Sequence, residues 1–352
     1  MMRGRVPRAS EVALLLAGIV VALAAAEAVL RARGVLYGVV APHADPQLKY
    51  TLRPNQKGRV GRVEHSYNAR GLRDRDYSDR PGPGVTRILS VGDSITFGQT
   101  MSLEQTFPKR IESSLNARAE ASRFEVLNGG VSGYNACQEE AFFRNVGSAY
   151  HPHLVIWEYC LNDVDDPWDP YRSSGAGYVP LPASWKRSLS DHLVLWNFLK
   201  AQLYAAVSGE SLAARGKSNE WYARRIFALY DEKERSRRDG AWQCILRARD
   251  EMMQSGIEML LVAFPFEMQA VRDSGYSDAP QREIARRCAE AGLACLDLLP
   301  TFARTDAAAL FLSNDFIHLS DEGHRVTATA IERELSRRLP DVRGSGGAAL
   351  RD

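Results

Sequence analysis

The fold is decided by residues 87–98, which read RILSVGDSITFG. The run from Arg87 to Val91 is short, apolar and rich in β-prone residues, and a turn of small residues follows it. The glycines that flank Asp93 and Ser94 let the backbone turn sharply, so we expect the Ser94 side chain to be exposed at the strand end. A helical pattern then begins near residue 104, which makes this stretch the start of a strand–turn–helix unit.

The same alternation of apolar runs and helical patterns continues along the chain. Further strands are predicted at residues 124–127, 154–157, 258–264 and 293–296, and helices at 104–120, 136–149, 241–255, 280–291 and 321–338. Strands that are apolar on both faces and alternate with helices form a parallel sheet covered on both sides. We therefore predict a three-layer α/β domain with its functional residues at the carboxyl ends of the strands.

The composition is that of a globular protein and excludes several classes of partner. Of the 352 residues, 45% are hydrophobic and 25% are charged, unlike a disordered, collagen-like or coiled-coil chain. The 45 Lys and Arg residues nearly balance the 43 Asp and Glu residues, and the net charge is +2. This balance gives no indication of a nucleic-acid partner.

An apolar run near the N-terminus predicts a membrane anchor. Val12 to Leu30 is apolar except for Glu27, and as a helix it is about 28 Å long, enough to cross a hydrocarbon core. Three arginines precede the run and favour a cytoplasmic N-terminus. The alternative is a cleaved signal peptide, since Ala24–Ala26 is an acceptable cleavage site. Both interpretations place the remainder of the chain outside the cytoplasm, in the periplasm or at the cell surface.

These patterns divide the chain into four segments. Residues 1–34 are the predicted anchor, 35–86 an irregular lead-in of short strands and turns, 87–340 the α/β domain and 341–352 a flexible tail. Residues 164–240 interrupt the strand–helix alternation. We interpret them as a partly helical insertion beside the site, acting as a lid or a substrate wall.

The five cysteines predict no metal ribbon and no fully paired disulfide scaffold. Their number is odd and none forms a C-x-x-C pair. We expect packed free thiols. A bridge between Cys288 and Cys295 is the alternative in an oxidising compartment.

Polar residues follow four separate strands of the predicted sheet. Ser94 ends the first strand, and the glycine-rich turn around Gly133 ends the second, where backbone N–H groups can bind an anion or an oxyanion. Asn162 follows the third strand and can donate a side-chain N–H to the same space. Asp315 and His318 lie near the C-terminus at a spacing that brings the carboxylate to the imidazole. Together they provide a nucleophile, a base with its orienting acid, and oxyanion donors.

In these residues and their order, the chain resembles the SGNH (GDSL) hydrolase superfamily. The resemblance rests on four blocks in the family's order: Gly92-Asp93-Ser94, Gly133, Asn162-Asp163 and Asp315-x-x-His318. It implies a flavodoxin-like α/β/α sandwich, a Ser94–His318–Asp315 triad, and an oxyanion hole formed by Ser94, Gly133 and Asn162. The anchor and the N-A-R-G-L-R-D lead-in, residues 68–74, also resemble a bacterial membrane-anchored branch that is often linked to surface glycans.

Two local features bear on that resemblance. The third block usually reads G-x-N-D, whereas Cys160 stands at the glycine position here, and its sulfur is expected to narrow the pocket or shift Asn162. His324 matches a structural histidine of the family, with a metal ligand as the alternative. The acidic residues Asp163, Asp165, Asp166 and Asp169 are expected in a solvated loop, with a calcium site as the alternative.

The sequence thus predicts a serine esterase that works through an acyl-enzyme and needs no metal or organic cofactor. The expected substrate is a small-molecule or glycan ester, with an O-acetylated glycan as the leading hypothesis. Two alternatives remain: an O-acyltransferase that uses the same triad on a cell-surface polysaccharide, and a catalytically silent binding protein. The membrane is the expected partner of the N-terminal helix, and the sequence identifies no protein partner.

Overall fold

The computed structural model describes residues 8–36, 39–60, 62–119, 123–166, 181–207, 212–271 and 274–338. Its strands are β1 (Val40–Pro42), β2 (Tyr50–Leu52), β3 (Gln56–Val60), β4 (Val63–Tyr67), β5 (Val85–Gly92), β6 (Arg123–Gly130), β7 (Leu154–Cys160), β8 (Glu258–Phe264) and β9 (Ala294–Asp297). The predicted tail, residues 341–352, lies outside the described residues.

Five of these strands form the central sheet, which is entirely parallel. Its order is β6-β5-β7-β8-β9, so the first strand of the domain lies between the second and the third. This is the doubly wound, flavodoxin-like order, in which sites lie where the order reverses. Here the reversal lies between β5 and β7, the strands that carry Ser94 and Asn162 at their carboxyl ends. The predicted fold class is therefore confirmed.

The helices cover both faces of this sheet. They are α1 (Ala9–Ala32), α2 (Ser94–Phe97), α3 (Phe107–Arg118), α4 (Ala136–Asn145), α5 (Ala183–His192), α6 (Val194–Val207), α7 (Leu212–Ala228), α8 (Arg235–Gln254), α9 (Glu267–Ala270), α10 (Ala279–Ala291), α11 (Leu299–Phe302), α12 (Ala307–Leu310) and α13 (Asp321–Arg338). Helices α3 and α13 pack together, and α4 packs against α8. Every β7 residue is buried, as expected for a strand covered on both faces.

A disulfide joins the two helices of the second pair and corrects the expectation for the cysteines. Cys137 of α4 is bonded to Cys244 of α8, across 107 positions of sequence. Cys288 and Cys295, the pair considered from sequence, are free, as is Cys160. Spacing along the chain could not reveal the bond, because it depends on two helices of different βα units packing side by side.

The lead-in is more regular than the sequence indicates. It contains two antiparallel pairs, β1 with β2 and β3 with β4. The phenolic oxygen of Tyr50 donates to the carbonyl of Ser132 at 2.8 Å, and its ring packs edge-on against Tyr134 at 5.1 Å. The lead-in is thus fastened to the loop between β6 and α4, where one of the predicted oxyanion donors lies.

The insertion is helical where it is described. Helices α5, α6 and α7 lie within residues 181–207 and 212–228, while residues 167–180 and 208–211 lie outside the described part of the chain. Helix α8 begins at Arg235, so the charged stretch before residue 240 belongs to a helix of the sandwich and not to the insertion.

The N-terminal run forms one helix, α1, of 24 residues. None of its apolar window is buried inside the protein, and it is long and apolar enough to cross a membrane. The backbone N–H groups of Val194 and Leu195 donate to the Glu27 carboxylate at 3.1 and 2.7 Å. The one acidic residue of the apolar run therefore binds the start of helix α6, which ties α1 to the insertion.

Candidate active site

The turn after β5 presents Ser94 at the first position of helix α2. Asp93 accepts a hydrogen bond from the Ile95 N–H at 2.9 Å and so caps this short helix. A side chain on Gly130 of the neighbouring strand would collide with the backbone of Phe97, so glycine at this position lets α2 lie directly on β6. The tight packing explains why small residues surround the serine in the sequence.

His318 and Asp315 reach Ser94 from the loop before α13. Nε2 of His318 lies 2.8 Å from Oγ of Ser94, and Nδ1 lies 2.6 Å from Oδ2 of Asp315. The backbone N–H groups of Ile317 and His318 donate to Oδ1 of Asp315 at 3.0 Å each, which holds the carboxylate in place. Because Nδ1–H donates to Asp315, Nε2 is the nitrogen that can accept a hydrogen bond from the Ser94 hydroxyl.

Asp315 and His318 each stabilise the charged form of the other. Burial lowers the pKa of His318, but the hydrogen bond and charge of Asp315, together with the charge of Asp93, outweigh it and raise that pKa above 6.5. Burial raises the pKa of Asp315, but its hydrogen bonds and the charge of His318 lower it overall. Asp315 is therefore ionised at neutral pH and stabilises a protonated His318.

The three residues predicted to form the oxyanion hole line the same cleft. The Ser94 N–H is the first of helix α2 and has no partner within that helix. Gly133 has φ +84°, a conformation that favours glycine and that turns the chain in the loop before α4. Nδ2 of Asn162 donates to Oδ2 of Asp93 at 3.3 Å, which orients the amide at the edge of the cleft.

These groups open into a cleft of about 460 Å³. The lining residues are Ser94, Gln99, Ser132, Gly133, Tyr134, Asn135, Asn162, Asp165, Asp166, Tyr222, Arg225 and His318. Tyr222 and Arg225 come from α7, so a helix of the insertion forms one wall of the cleft. Arg225 forms a two-pronged ion pair with Asp165, and Nη2 lies 2.6 Å from Oδ1. The wall is therefore attached to the end of β7 by charge-assisted hydrogen bonds.

Glu158, which the sequence analysis did not single out, lies directly beneath the Ser94 turn. It is fully buried in β7, and its Oε2 accepts from the N–H groups of Asp93 and Thr96 at 3.0 Å and from the Thr96 hydroxyl at 2.7 Å. Burial, with the charges of Asp93 and Asp163, raises the pKa of Glu158 well above its usual value. Its signal in the sequence was a lone acidic residue within an apolar run.

Two more carboxyl groups share this interior. Burial, with the charges of Glu158 and Asp93, raises the pKa of Glu139 well above 4.5. Burial, with the charges of Glu139 and Asp93, likewise raises the pKa of Asp163, although the Cys160 N–H donates to its carboxyl at 2.8 Å. We call Glu139, Glu158 and Asp163 the buried carboxyl cluster.

The prediction of a solvated acidic loop is wrong for Asp163 and Asp165 and right for Asp166, which is exposed. Asp163 is 1% exposed, and Asp165 is paired with Arg225. Asp166 pairs with Arg237 of α8 at 2.8 Å. Asp169 lies outside the described residues. The arginines that neutralise this stretch are 60 to 71 positions away in sequence, so only the packing of α7 and α8 brings them to it.

The lead-in also stabilises the turn that carries Ser94, through Arg73. This side chain is 1% exposed and donates to the carbonyls of Phe97 at 2.6 Å, Gly98 at 2.8 Å and Met101 at 2.5 Å. Its guanidinium lies 4.8 Å from the centre of the Phe97 ring. Arg73 therefore occupies the carbonyls at the end of α2, which a four-residue helix cannot satisfy by itself.

Cys160 and His324 are packed into the interior. Cys160 has φ −97°, which any residue adopts, and its side chain is buried and does not line the cleft. Nδ1 of His324 accepts from the Phe107 N–H at 3.2 Å, and burial, with nearby arginine charges, lowers its pKa to about 3. Within the described residues, no three His, Cys, Asp or Glu side chains are grouped so as to hold a metal ion.

Comparison with known proteins identifies the family of this chain. The sequence profile of the GDSL-like lipase/acylhydrolase family matches residues 90–326, about two thirds of the chain. No curated protein sequence matches the chain.

Similar solved structures include an acetyl xylan esterase (14% identity, 71% of this chain and 99% of that one, TM-score 0.44). A lipase/acylhydrolase from Enterococcus faecalis is 12% identical, with 72% and 96% covered and a TM-score of 0.42. A catalytic mutant of an acetylxylan esterase from Geobacillus stearothermophilus is 18% identical, with 71% and 94% covered and a TM-score of 0.42. On the family match, the chain belongs to the GDSL-like lipase/acylhydrolase family and is an ester hydrolase.

Proposed function

We propose that this ester hydrolase uses Ser94 as its nucleophile and works through an acyl-enzyme. The observation that carries the proposal is the unbroken hydrogen-bond chain from Ser94 through His318 to Asp315, at 2.8 and 2.6 Å. A serine hydroxyl is a weak nucleophile, and an adjacent base is what activates it. No other described serine needs to take part.

In the first half-reaction, Oγ of Ser94 attacks the ester carbonyl while its proton moves to Nε2 of His318. The carbonyl oxygen becomes an oxyanion, to which the N–H groups of Ser94 and Gly133 and the Asn162 amide donate. His318 then returns the proton to the alkoxide as the bond between acyl carbon and alcohol breaks. The products are a free alcohol and an acyl group bonded to Ser94.

In the second half-reaction, water takes the place of the alcohol. His318 removes a proton from the water, whose oxygen attacks the acyl carbon, and then returns the proton to Oγ of Ser94 as the acyl–serine bond breaks. A carboxylic acid leaves. Asp315 stays ionised throughout and stabilises each protonated state of His318 without itself taking up the proton.

The alcohol half of the substrate is proposed to be rich in hydroxyl groups, as in a glycan. The wall of the cleft opposite the triad carries polar side chains, among them Asn135, Asp166 and Arg225. Such side chains exchange hydrogen bonds with hydroxyl groups more readily than with a hydrocarbon. The acetyl group expected from the sequence stays a prediction.

The protein is proposed to be anchored by α1 with its catalytic domain outside the cytoplasm. Arg3, Arg5 and Arg8 precede the helix, which favours this orientation. The Cys137–Cys244 disulfide supports the same location, because such bonds persist in oxidising compartments. A secreted form produced by signal cleavage is the alternative.

The test uses the full-length protein in lipid nanodiscs with p-nitrophenyl acetate. Ser94→Ala and His318→Ala are each expected to lose roughly 10⁴-fold or more in kcat, because the triad acts as a unit. Ser148→Ala is the matched control, since this half-buried serine lies on the 3₁₀ turn after α4 and does not line the cleft. Mass spectrometry should find an acetyl adduct on Ser94 in the wild type.

Three outcomes separate the alternatives. Turnover that survives Ser94→Ala excludes Ser94 as the nucleophile. An adduct that forms but reacts with an added sugar faster than with water indicates an acyltransferase. A folded wild-type protein with neither turnover nor adduct on any ester tested contradicts the proposal and favours a binding protein.

A further inference from the structure

A second cavity adjoins the catalytic cleft on the side of the lead-in. It measures about 380 Å³, within the range of small-molecule sites, and apolar side chains such as Val40, Leu52, Tyr67 and Phe97 line most of it. Gln99 and Ser132 line both this cavity and the cleft. The Ser132 hydroxyl donates to Oε1 of Gln99 at 3.0 Å, so one exposed hydrogen bond forms the boundary between them.

The walls of this cavity carry no charge near neutral pH. His65 is 4% exposed, and its Nδ1 lies 3.0 Å from the Tyr67 hydroxyl. Burial, with the charge of Arg73, lowers the pKa of His65 to about 4, so the ring is neutral above that pH. An uncharged apolar cavity suits a hydrocarbon better than a sugar.

The position of the cavity relative to His318 indicates which half of an ester enters it. His318 protonates the leaving alcohol, so the alcohol must lie beside Nε2. All residues that line the apolar cavity lie between positions 39 and 132, and none comes from the loop that carries His318. Phe97 lies on the same short helix as Ser94. An acyl group that extends away from His318, toward α2, would reach this cavity.

We propose that this cavity binds the hydrocarbon chain of the substrate's acyl group, so that the enzyme prefers acyl chains longer than acetyl. The inference rests on the proposed function of Ser94 and departs from the acetyl group expected from the sequence. Its walls come largely from β1–β4, which precede residue 90, where the family profile begins to match. The preference is therefore a property that the lead-in adds to this chain.

The test compares kcat/KM for p-nitrophenyl acetate, butyrate and hexanoate in the full-length protein. Each methylene that enters the cavity is expected to raise kcat/KM by up to about fourfold, which corresponds to about 0.8 kcal/mol. Val40→Phe fills the cavity and should lower the hexanoate-to-acetate ratio about tenfold. Ser66→Phe places the same ring on the opposite, exposed face of the β3–β4 hairpin and should keep the wild-type ratio.

A readout that needs no turnover accompanies the rates. In a Ser94→Ala background, hexanoate should raise the melting temperature more than acetate does, and adding Val40→Phe should abolish this difference. A hexanoate-to-acetate ratio that is the same in folded Val40→Phe as in the wild type, or equal melting shifts with and without Val40→Phe, overturns the proposal. Hydrolysis that depends on Ser94 but not on chain length refutes the acyl-chain site and leaves the proposed function standing. Hydrolysis that survives Ser94→Ala refutes the proposed role of Ser94. The melting shifts then still show whether the apolar cavity binds the acyl chain.

Discussion

Two sets of carboxyl groups surround Ser94, and they differ in charge. Asp315, whose side chain is 32% exposed, pairs with His318 and has a lowered pKa. Glu139, Glu158 and Asp163, the buried carboxyl cluster, have almost no exposure and raised pKa values. Desolvation penalises the charged form in both sets, but only Asp315 faces a group that can become a cation.

The difference shows that residue type does not assign a role at this site. Asp163 and Asp315 are both aspartates, yet one accepts a backbone N–H in the interior and the other is hydrogen-bonded to the imidazole of His318. The raised pKa values favour the neutral form of the cluster, which supports the turn that carries Ser94, whereas Asp315 contributes a charge. Three predictions test this division.

The largest expected effect is on Asp315. Asp315→Asn removes the charge and the acceptor that fixes the His318 tautomer, and kcat should fall by roughly 10³–10⁴. Glu139→Gln makes the matched change in the buried cluster, where a neutral amide replaces a neutral acid, and kcat should stay within about threefold. Steady-state kinetics on p-nitrophenyl esters measure both. Similar losses in the two variants would remove the distinction between the two sets.

A smaller effect is expected on stability when Glu158 is changed. Glu158→Ala leaves three buried donors on Asp93 and Thr96 without an acceptor and should lower the free energy of unfolding by about 3 kcal/mol. Glu158→Gln keeps an oxygen at that place and should cost about 1 kcal/mol or less. Urea denaturation followed by fluorescence measures both changes.

The same pair of variants tests the charge of Glu158. If Glu158 is ionised in the folded protein, Gln should also lower the free energy of unfolding by well over about 1 kcal/mol, because it removes a charge that the N–H groups stabilise. If it is neutral, Gln should also retain wild-type kcat, since the turn that carries Ser94 keeps its supporting bonds.

The smallest effect is a shift in pH dependence. Nε2 of His318 must be unprotonated to accept the Ser94 proton, so kcat/KM should rise with pH to a half-maximum above 6.5, where the raised pKa lies. In Asp315→Asn the raising effect of Asp315 is lost while burial and the charge of Asp93 remain, so the half-maximum should fall below its wild-type value. The stability that the ionised pair contributes is fully present below pH 6.5 and is lost as pH rises through the raised pKa. If the half-maximum lies at the same pH in Asp315→Asn as in the wild type, a group other than His318 controls the pH dependence of kcat/KM.

The predicted strands and helices follow from local pattern, and most of them are confirmed. The strand at 258–264 and the helix at 321–338 have the predicted bounds, because apolar runs and amphipathic periods mark them. Helix α8 was placed too late because its first turns are charged. The lead-in was harder to predict, since its strands are only three to five residues long.

The catalytic candidates were accessible from the sequence for a different reason. Parallel strands end at one edge of the sheet, so residues that follow separate strands meet there. Ser94, Gly133 and Asn162 follow strands in this way. Asp315 and His318 are only three positions apart, so their contact could be predicted from their spacing. The hydrogen bonds of Glu158 and the ion pair of Asp165 could not be predicted in this way, because their partners belong to other elements.

The sequence by itself determined the sandwich, the membrane-spanning length of α1 and the candidate nucleophile with its base and acid. Each of these depends on periodicity, strand ends or short spacings. The tertiary structure alone decided the Cys137–Cys244 bond, the raised pKa values of the buried carboxyl cluster and the apolar cavity between the lead-in and α2. These properties depend on burial and on contacts between distant segments, because desolvation and cavity shape exist only once the chain has packed.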